Sequence, residues 1–193
     1  MTELKGSRTE KNLAISYAGE SMARNRYTFF ASIAKKQGYE HIAAIFIETA
    51  ENEKEHAKRF LKFLKGTGAP IHVQCEIPGS FFGSTLENLK QAADGEKEEH
   101  MQGYPHMAAI AEQEGFHEIA DLFRKIAAVE REHEKRFRIL IQQFEEGTVF
   151  RRDREVEWKC RNCGYIFRGF EAPEECPACG HKQGFFEVRE VLE

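Results

Sequence analysis

The chain has no apolar run approaching the roughly 20 residues that would cross a bilayer as a helix. Its opening Met-Thr-Glu-Leu-Lys-Gly also lacks the hydrophobic stretch and small-residue cleavage site of a secretory signal, so a cytoplasmic location without membrane partners is the expectation. There is no basic excess either. With 28 Lys and Arg against 32 Asp and Glu the net charge is -4, which argues against nucleic acid as a partner. Cysteine is scarce and clustered. Of five, only Cys75 lies outside two Cys-x-x-Cys pairs, and in an unsignalled chain such pairs point to metal in place of disulfides. What remains is a folded composition, 31% charged and 11% aromatic over 193 residues, enough for one sizeable core and a small satellite domain.

One helix-length segment occurs twice. Gly38-Tyr39, Ile42-Ala43, Phe46, Ala50, Glu53, His56 and Lys58-Arg59-Phe60 return at one offset as Gly115-Phe116, Ile119-Ala120, Phe123, Ala127, Glu130, His133 and Lys135-Arg136-Phe137. In each copy Glu and His are three apart, about one helical turn, and lie beside the apolar stripe that must face inward. On one helix such a pair is usually solvated. Two copies facing a common interior are different, because a buried carboxylate is costly unless a positive charge meets it. Two Glu-x-x-His helices, with one further Glu from each of two more helices, form the dinuclear carboxylate site of ferritin-like bundles.

The other two helices supply the candidates. Ser7-Arg8-Thr9-Glu10 has capping-box spacing and opens a first helix to about Gln37, with Leu13, Tyr17, Met22, Tyr27, Phe30, Ile33 and Ala34 on its inner stripe and Glu20 beside it. A second helix runs from about Tyr39 to Lys65. The stretch from Gly66 to Gly83, with Pro70 and Pro78, breaks helical periodicity and serves as the long crossover of such a bundle, His72 and Cys75 within it lacking partners at ligand spacing. Ser84-Thr85-Leu86-Glu87 opens a third helix to about Gln113, and the fourth, from Gly115, ends near Gly147.

Tyr27 and Tyr104 match at the repeat offset, but the position matching Glu20 is Lys97. Glu96 is the nearest carboxylate if one extra residue is accommodated before Tyr104, as in a π-bulge, and Glu99 then shares its face. A solvated acidic patch is the other interpretation of Glu96 to Glu99. Tyr27 and Tyr104 are either hydrogen-bond donors to ligand carboxylates or core aromatics with satisfied hydroxyls.

After Gly147 the composition changes. Cys160, Cys163, Cys176 and Cys179, each pair followed by Gly, form two thiolate knuckles whose tetrahedral array suits Fe or Zn. So short a segment needs such a staple. Trp158, Tyr165, Phe167, Phe170, Phe185 and Phe186 are expected to fill its small core. The domains are accordingly 1–148 and 149–193.

Taken together, Ala18-Gly19-Glu20-Ser21, Ala23-Arg24-Asn25-Arg26-Tyr27, the two Glu-x-x-His helices, Gly95-Glu96-x-x-Glu99, Tyr104-Pro105, Cys-x-x-Cys-Gly-Tyr and Cys-Pro-x-Cys-Gly closely resemble the rubrerythrin family over nearly the whole chain. The resemblance implies a mainly α fold, a ferritin-like four-helix bundle plus a small C-terminal rubredoxin-like β domain. It implies two non-haem Fe in the bundle and one Fe in a site of four Cys thiolates, and a peroxidase reducing hydrogen peroxide to water. Glu53 and Glu130 would bridge the irons, Glu20 and Glu96 would be terminal, and His133 would bind the second iron. The first iron would exchange His56 for Glu99 on oxidation. Electrons would come from a donor such as a rubredoxin with its NAD(P)H-dependent reductase. About 20 Å by helix rise would separate the two centres of one chain, and a head-to-tail homodimer would bring one subunit's module to the other's di-iron site. The rival functions are a ferroxidase or iron-handling bundle, which leaves the Cys module unused, and a passive metal-binding protein with a zinc ribbon.

Overall fold

The computed structural model describes residues 3–68, 70–77 and 83–190. Helix α1 (Arg8–Lys36) starts where Ser7 caps it, Glu10 N donating to Ser7 Oγ at 3.0 Å. The reciprocal arm of the capping box lands one residue early, because Glu10 Oε2 accepts from Gly6 N at 2.7 Å instead of from Ser7 N. Gly38 then turns the chain at φ 83°, a left-handed conformation that a Cβ would strain, and Tyr39 N donates back to Ala34 O at 2.9 Å. Helix α2 (Glu40–Phe63) runs back along α1.

The second half repeats this hairpin. Helix α3 (Thr85–Glu98), a π turn (Glu99–Gly103) and α4 (Tyr104–Gln113) form the third rod of the bundle, Gly115 turns it at φ 82°, and α5 (His117–Glu145) returns. Ser84 carries both arms of its capping box, its N donating to Glu87 Oε2 at 2.7 Å. The π turn falls between Glu96 and Tyr104, where the residue count requires it, with Tyr104 N–H reaching back to Glu99 O. Of the crossover expected between Gly66 and Gly83, residues 69 and 78–82, Pro78 among them, lie outside the described residues. His72 and Cys75 are exposed.

The halves brace each other at repeat-equivalent positions. Gln37 Oε1 accepts from Thr85 N at 2.9 Å and Thr85 Oγ1 at 2.6 Å; Glu114 Oε2 accepts from Thr9 N at 2.9 Å and Thr9 Oγ1 at 2.7 Å. Two aromatic triads flank the middle of the core. Tyr27, Phe46 and Phe137 meet with ring centroids 5.4 to 6.1 Å apart, and their equivalents Tyr104, Phe123 and Phe60 meet at 5.3 to 5.9 Å. Each triad takes rings from both halves, so burial worth roughly 1.5 to 3 kcal/mol per ring holds the bundle closed on either side of its centre. Tyr17, expected on the inner stripe of α1, is 38% exposed. Among the described residues no helix is long and apolar enough to cross a membrane.

The C-terminal module is a three-stranded antiparallel sheet in the order β2-β1-β3, from β1 (Arg151–Cys160), β2 (Ile166–Glu171) and β3 (Phe186–Val188). Trp158 and Phe186 are buried in its core, with Tyr165, Phe167 and Phe185 packed against them. Phe170 corrects the expectation for it. It is 54% exposed, because three positions along a strand from Phe167 it points to the opposite face. The module rests on the turn between α1 and α2. Phe150 stacks on Tyr39 at 5.9 Å, His41 Nδ1 lies 3.2 Å from Glu187 Oε2, and Gly184 approaches so closely that a Cβ there would sit 2.0 Å from Gly38 O.

Candidate metal centres

Between the two aromatic triads every helix rod contributes acid. Glu20 (α1), Glu53 (α2), Glu96 (α3) and Glu130 (α5) are each at most 2% exposed, an arrangement of four buried carboxylates with no Lys or Arg among them. The two histidines divide them into interlocked sets. His56 Nδ1 lies 2.9 Å from Glu53 Oε2, 2.9 Å from Glu130 Oε1 and 3.6 Å from Glu20 Oε1. His133 Nδ1 lies 2.7 Å from Glu130 Oε2, 3.3 Å from Glu53 Oε1 and 3.8 Å from Glu96 Oε2. In each set one ligand atom per residue falls within 4.8 Å of all the others, and Glu53 and Glu130 belong to both.

The tyrosines cross the bundle to hold the outer carboxylates. Tyr27 Oη donates to Glu96 Oε1 at 2.5 Å, and Tyr104 Oη donates to Glu20 Oε1. Burial and the neighbouring carboxylates raise both phenols well above their ordinary range, so they stay donors. Each Tyr therefore occupies one oxygen of its carboxylate. The other oxygens, Glu20 Oε2 and Glu96 Oε2, are buried without a hydrogen-bond partner, as are Glu53 Oε1, both oxygens of Glu130 and His133 Nδ1. Lone pairs that converge on one another without donors are the signature of a cation site, since each would otherwise carry an uncompensated desolvation cost. The hard oxygen and imidazole set suits two iron ions.

Without cations the cluster holds protons instead. Burial first, then the charges of Glu99, Glu53 and Glu130, raises Glu20 well above the usual carboxylate range. Burial pushes Glu96 up to about 8 against the pull of His133. For the imidazoles burial acts downward, but Glu130 and Glu53 push His56 up to about 9, and with Glu96 they push His133 up to about 12.

Glu99 stands apart. It opens the π turn, half-buried, and belongs to neither four-residue set, although burial and then Glu96 raise its carboxyl well above the ordinary range. Sequence reasoning missed Asn52, whose Oδ1 lies 3.1 Å from His133 Nε2. The signal was available: the position is Asn in one copy of the repeat and Val129 in the other.

In the module the Sγ atoms of Cys160, Cys163, Cys176 and Cys179 lie within 4.8 Å of one another, and none is in a disulfide. Gly164 at φ 80° and Gly180 at φ 70° close the two knuckles, their amides donating to Cys160 O and Cys176 O at 2.8 Å each. The amide of His181 draws the Cys179 thiol down to about 6. That of Tyr165 pulls likewise on Cys163, but the neighbouring thiols, Cys179 foremost, outweigh it and push Cys163 up to about 12. Backbone dipoles thus favour thiolate in each knuckle, while four sulfurs crowded together ionise fully only around a cation.

Residues 11–141 match the family model for rubrerythrin, and residues 158–187 match that for the rubrerythrin rubredoxin-like domain. The chain belongs to the rubrerythrin family. It is 55% identical over 184 residues to rubrerythrin of Porphyromonas gingivalis, covering 95% of this chain and 91% of that one. It is 48% identical over 188 residues to rubrerythrin of Nitratidesulfovibrio vulgaris, covering 97% of each. Among solved structures, fully reduced, all-ferrous nigerythrin aligns with a TM-score of 0.65 at 30% identity over 95% of this chain and 87% of that one. A bacterioferritin from Desulfovibrio desulfuricans, at 19% identity and a TM-score of 0.64 over 73% of this chain and 84% of that one, shares the fold. Rubrerythrins are oxidoreductases with a di-iron site, which gives the chain an iron-dependent role in oxidative stress, and it carries the residues for that site and for a rubredoxin-like iron held by four cysteines.

Proposed function

We propose that this rubrerythrin-family chain is a hydrogen peroxide reductase whose bundle, residues 1–148, carries out the reduction and whose module, residues 149–193, returns the electrons. What supports this most is the pair of imidazole–carboxylate sets sharing Glu53 and Glu130 in a chain that also carries a complete four-cysteine site. When bound, two ferrous ions supply the two electrons that split peroxide, which takes up two protons and leaves as two waters, and the thiolate-bound iron of the module replaces those electrons singly.

The protein's own part is to hold charge. Glu20, Glu53, Glu96 and Glu130, with His56 and His133, would hold the two ions, Glu53 and Glu130 between them. Four carboxylates balance two divalent cations. Oxidation would add positive charge, and Glu99, the half-buried fifth carboxylate whose charge is felt at Glu20, would meet it in exchange for neutral His56. Tyr104 and Tyr27 would keep one oxygen of Glu20 and Glu96 fixed, leaving the other oxygen of each without a donor and free for a cation. The aromatic triads above and below exclude water from the remainder of the interior. An external donor such as a rubredoxin with its NAD(P)H-dependent reductase would feed the module, and a head-to-tail homodimer would shorten the path between module and bundle. Four cysteines at ligand spacing, none in a disulfide, fit a reducing compartment, and the cytoplasm is the proposed location.

Stopped-flow mixing of the diferrous protein with hydrogen peroxide or with dioxygen tests the proposal. Oxidation much faster with peroxide supports it; oxidation much faster with dioxygen would favour a ferroxidase and overturn it. Cys160→Ser should leave the first oxidation by peroxide intact and abolish NADH-coupled turnover. Turnover retained in that variant would remove the relay from the module.

A further inference from the structure

The repeat that builds the centre departs from symmetry beside its two histidines. Asn52, one residue before Glu53 on α2, presents Oδ1 to His133 Nε2 at 3.1 Å. An amide oxygen only accepts, so this contact places a hydrogen on Nε2 and leaves Nδ1, which faces Glu53, Glu96 and Glu130, as the nitrogen that would bind a cation. Val129, one residue before Glu130 on α5, is the counterpart of Asn52 at the repeat offset and has no side-chain oxygen to accept with. Among the described residues His56 Nε2 has no hydrogen-bond partner, and the His56 side chain is 13% exposed against 6% for His133.

We propose that Asn52 is a positioning residue that locks His133 in one tautomer and one ring orientation, and that Val129 leaves His56 free to turn away from the centre. The inference rests on the metal-centre assignment made above and adds to it the device that makes two equivalent imidazoles unequal. A hydrogen bond to the far nitrogen of a metal-binding imidazole orients the ring and raises its basicity, and losing one commonly costs about 10- to 100-fold in metal affinity.

The test uses the full-length protein loaded with zinc, which is redox-inert and diamagnetic, and labelled with 15N at histidine. Exchange of ring N–H protons with water is read by NMR, and release of bundle zinc by competition with a chelator. The wild type should show one slowly exchanging ring N–H from the bundle centre. Asn52→Val should lose that signal and release zinc about 10- to 100-fold faster, while Asn52→Asp, which keeps an accepting oxygen, should retain the signal. Val129→Asn should add a second protected ring N–H, from His56, at unchanged zinc content. The Val129 variant keeps Asn52 in place, so the proposal stays open to refutation if Asn52→Val folds poorly. Protection and zinc release in a folded Asn52→Val equal to wild type, or no second signal in Val129→Asn, would overturn this inference alone. A wild type that takes up only the zinc of the four-cysteine site would overturn the metal-centre assignment and this inference with it.

Discussion

Stripping the metals should make the stability of the bundle fall steeply with rising pH. In the metal-free fold Glu96 keeps its proton up to about pH 8, whereas in the unfolded chain it would lose it near 4.5. His56 keeps its second proton up to about pH 9 against 6.5 unfolded. Both groups bind more protons folded than unfolded across the neutral range, so stability declines as pH rises. The His56 contribution is fully present below pH 6.5 and is lost as pH climbs through about 9; the Glu96 penalty grows from 4.5 to about 8. Glu130, drawn below its ordinary range by the two histidines against the effect of burial, contributes stability lost only in acid and is silent here. One extra proton is worth about 1.4 kcal/mol per pH unit, so each group accounts for about 3 kcal/mol between pH 6 and 9. At about 2 to 4 °C per kcal/mol for a chain of this size, Tm of the chelated protein should drop by at least about 10 °C over that interval. Loading with a divalent cation replaces those protons, flattening the profile above pH 6 and reversing its slope in acid, where protonated ligands release metal. Differential scanning calorimetry of chelated and loaded protein at matched pH decides the matter. A metal-free Tm that stays level or rises from pH 6 to 9 would show that these carboxylates are not gathered in a dry interior without cations.

Other consequences follow from single contacts. Tyr104→Phe frees Glu20 Oε1, and chelator competition should show metal binding weakened by about 10- to 100-fold with the helical circular dichroism unchanged. Phe137→Ala opens a cavity beside Tyr27 and Phe46 and should cost about 3 to 5 kcal/mol in urea unfolding. Gly184→Ala puts a Cβ into Gly38 O, so the module should lift from the turn between α1 and α2, and limited proteolysis should cut the segment before β1 faster than in wild type.

Much of the centre was legible because a repeated pattern is a strong statement about geometry. Two Glu-x-x-His helices with the same Ile, Ala and Phe spacing can bury their charged residues together only if the helices face each other. The one-residue mismatch between Glu20 to Tyr27 and Glu96 to Tyr104 encodes a π turn, and a π turn is there. Local chemistry was legible less reliably. Glu10 bonds to Gly6 instead of completing its box at Ser7, because either amide satisfies the carboxylate and spacing does not choose between them. Phe170 is exposed because hydrophobic character alone does not say which face of a short strand a residue occupies. Asn52 was marked by the mismatch with Val129 at the repeat offset, but its role was not: a partly exposed amide on an amphipathic helix looks solvated until the helix opposite is known. The docking of the module on Gly38 likewise depends on two glycines far apart in sequence.

The departures from symmetry fall on the two sides of the centre unequally. Glu99, on the π turn, has Ala23 as its counterpart once the extra residue is counted, and it is foremost among the charges that raise Glu20. Glu20 approaches His56, and the repeat offset gives that side Val129 where the other has Asn52. Asn52 serves the other side, where His133 meets Glu96. One side thus combines an additional carboxylate, a backbone irregularity and an unanchored imidazole; the other has a fixed imidazole and no spare acid. A duplicated, symmetric bundle would hold two cations equally and have no preferred place to absorb a change in their charge. Inserting one residue in the third rod and placing an amide at only one of two equivalent positions gives such a change a single place to act, while Glu53 and Glu130 stay common to both sides.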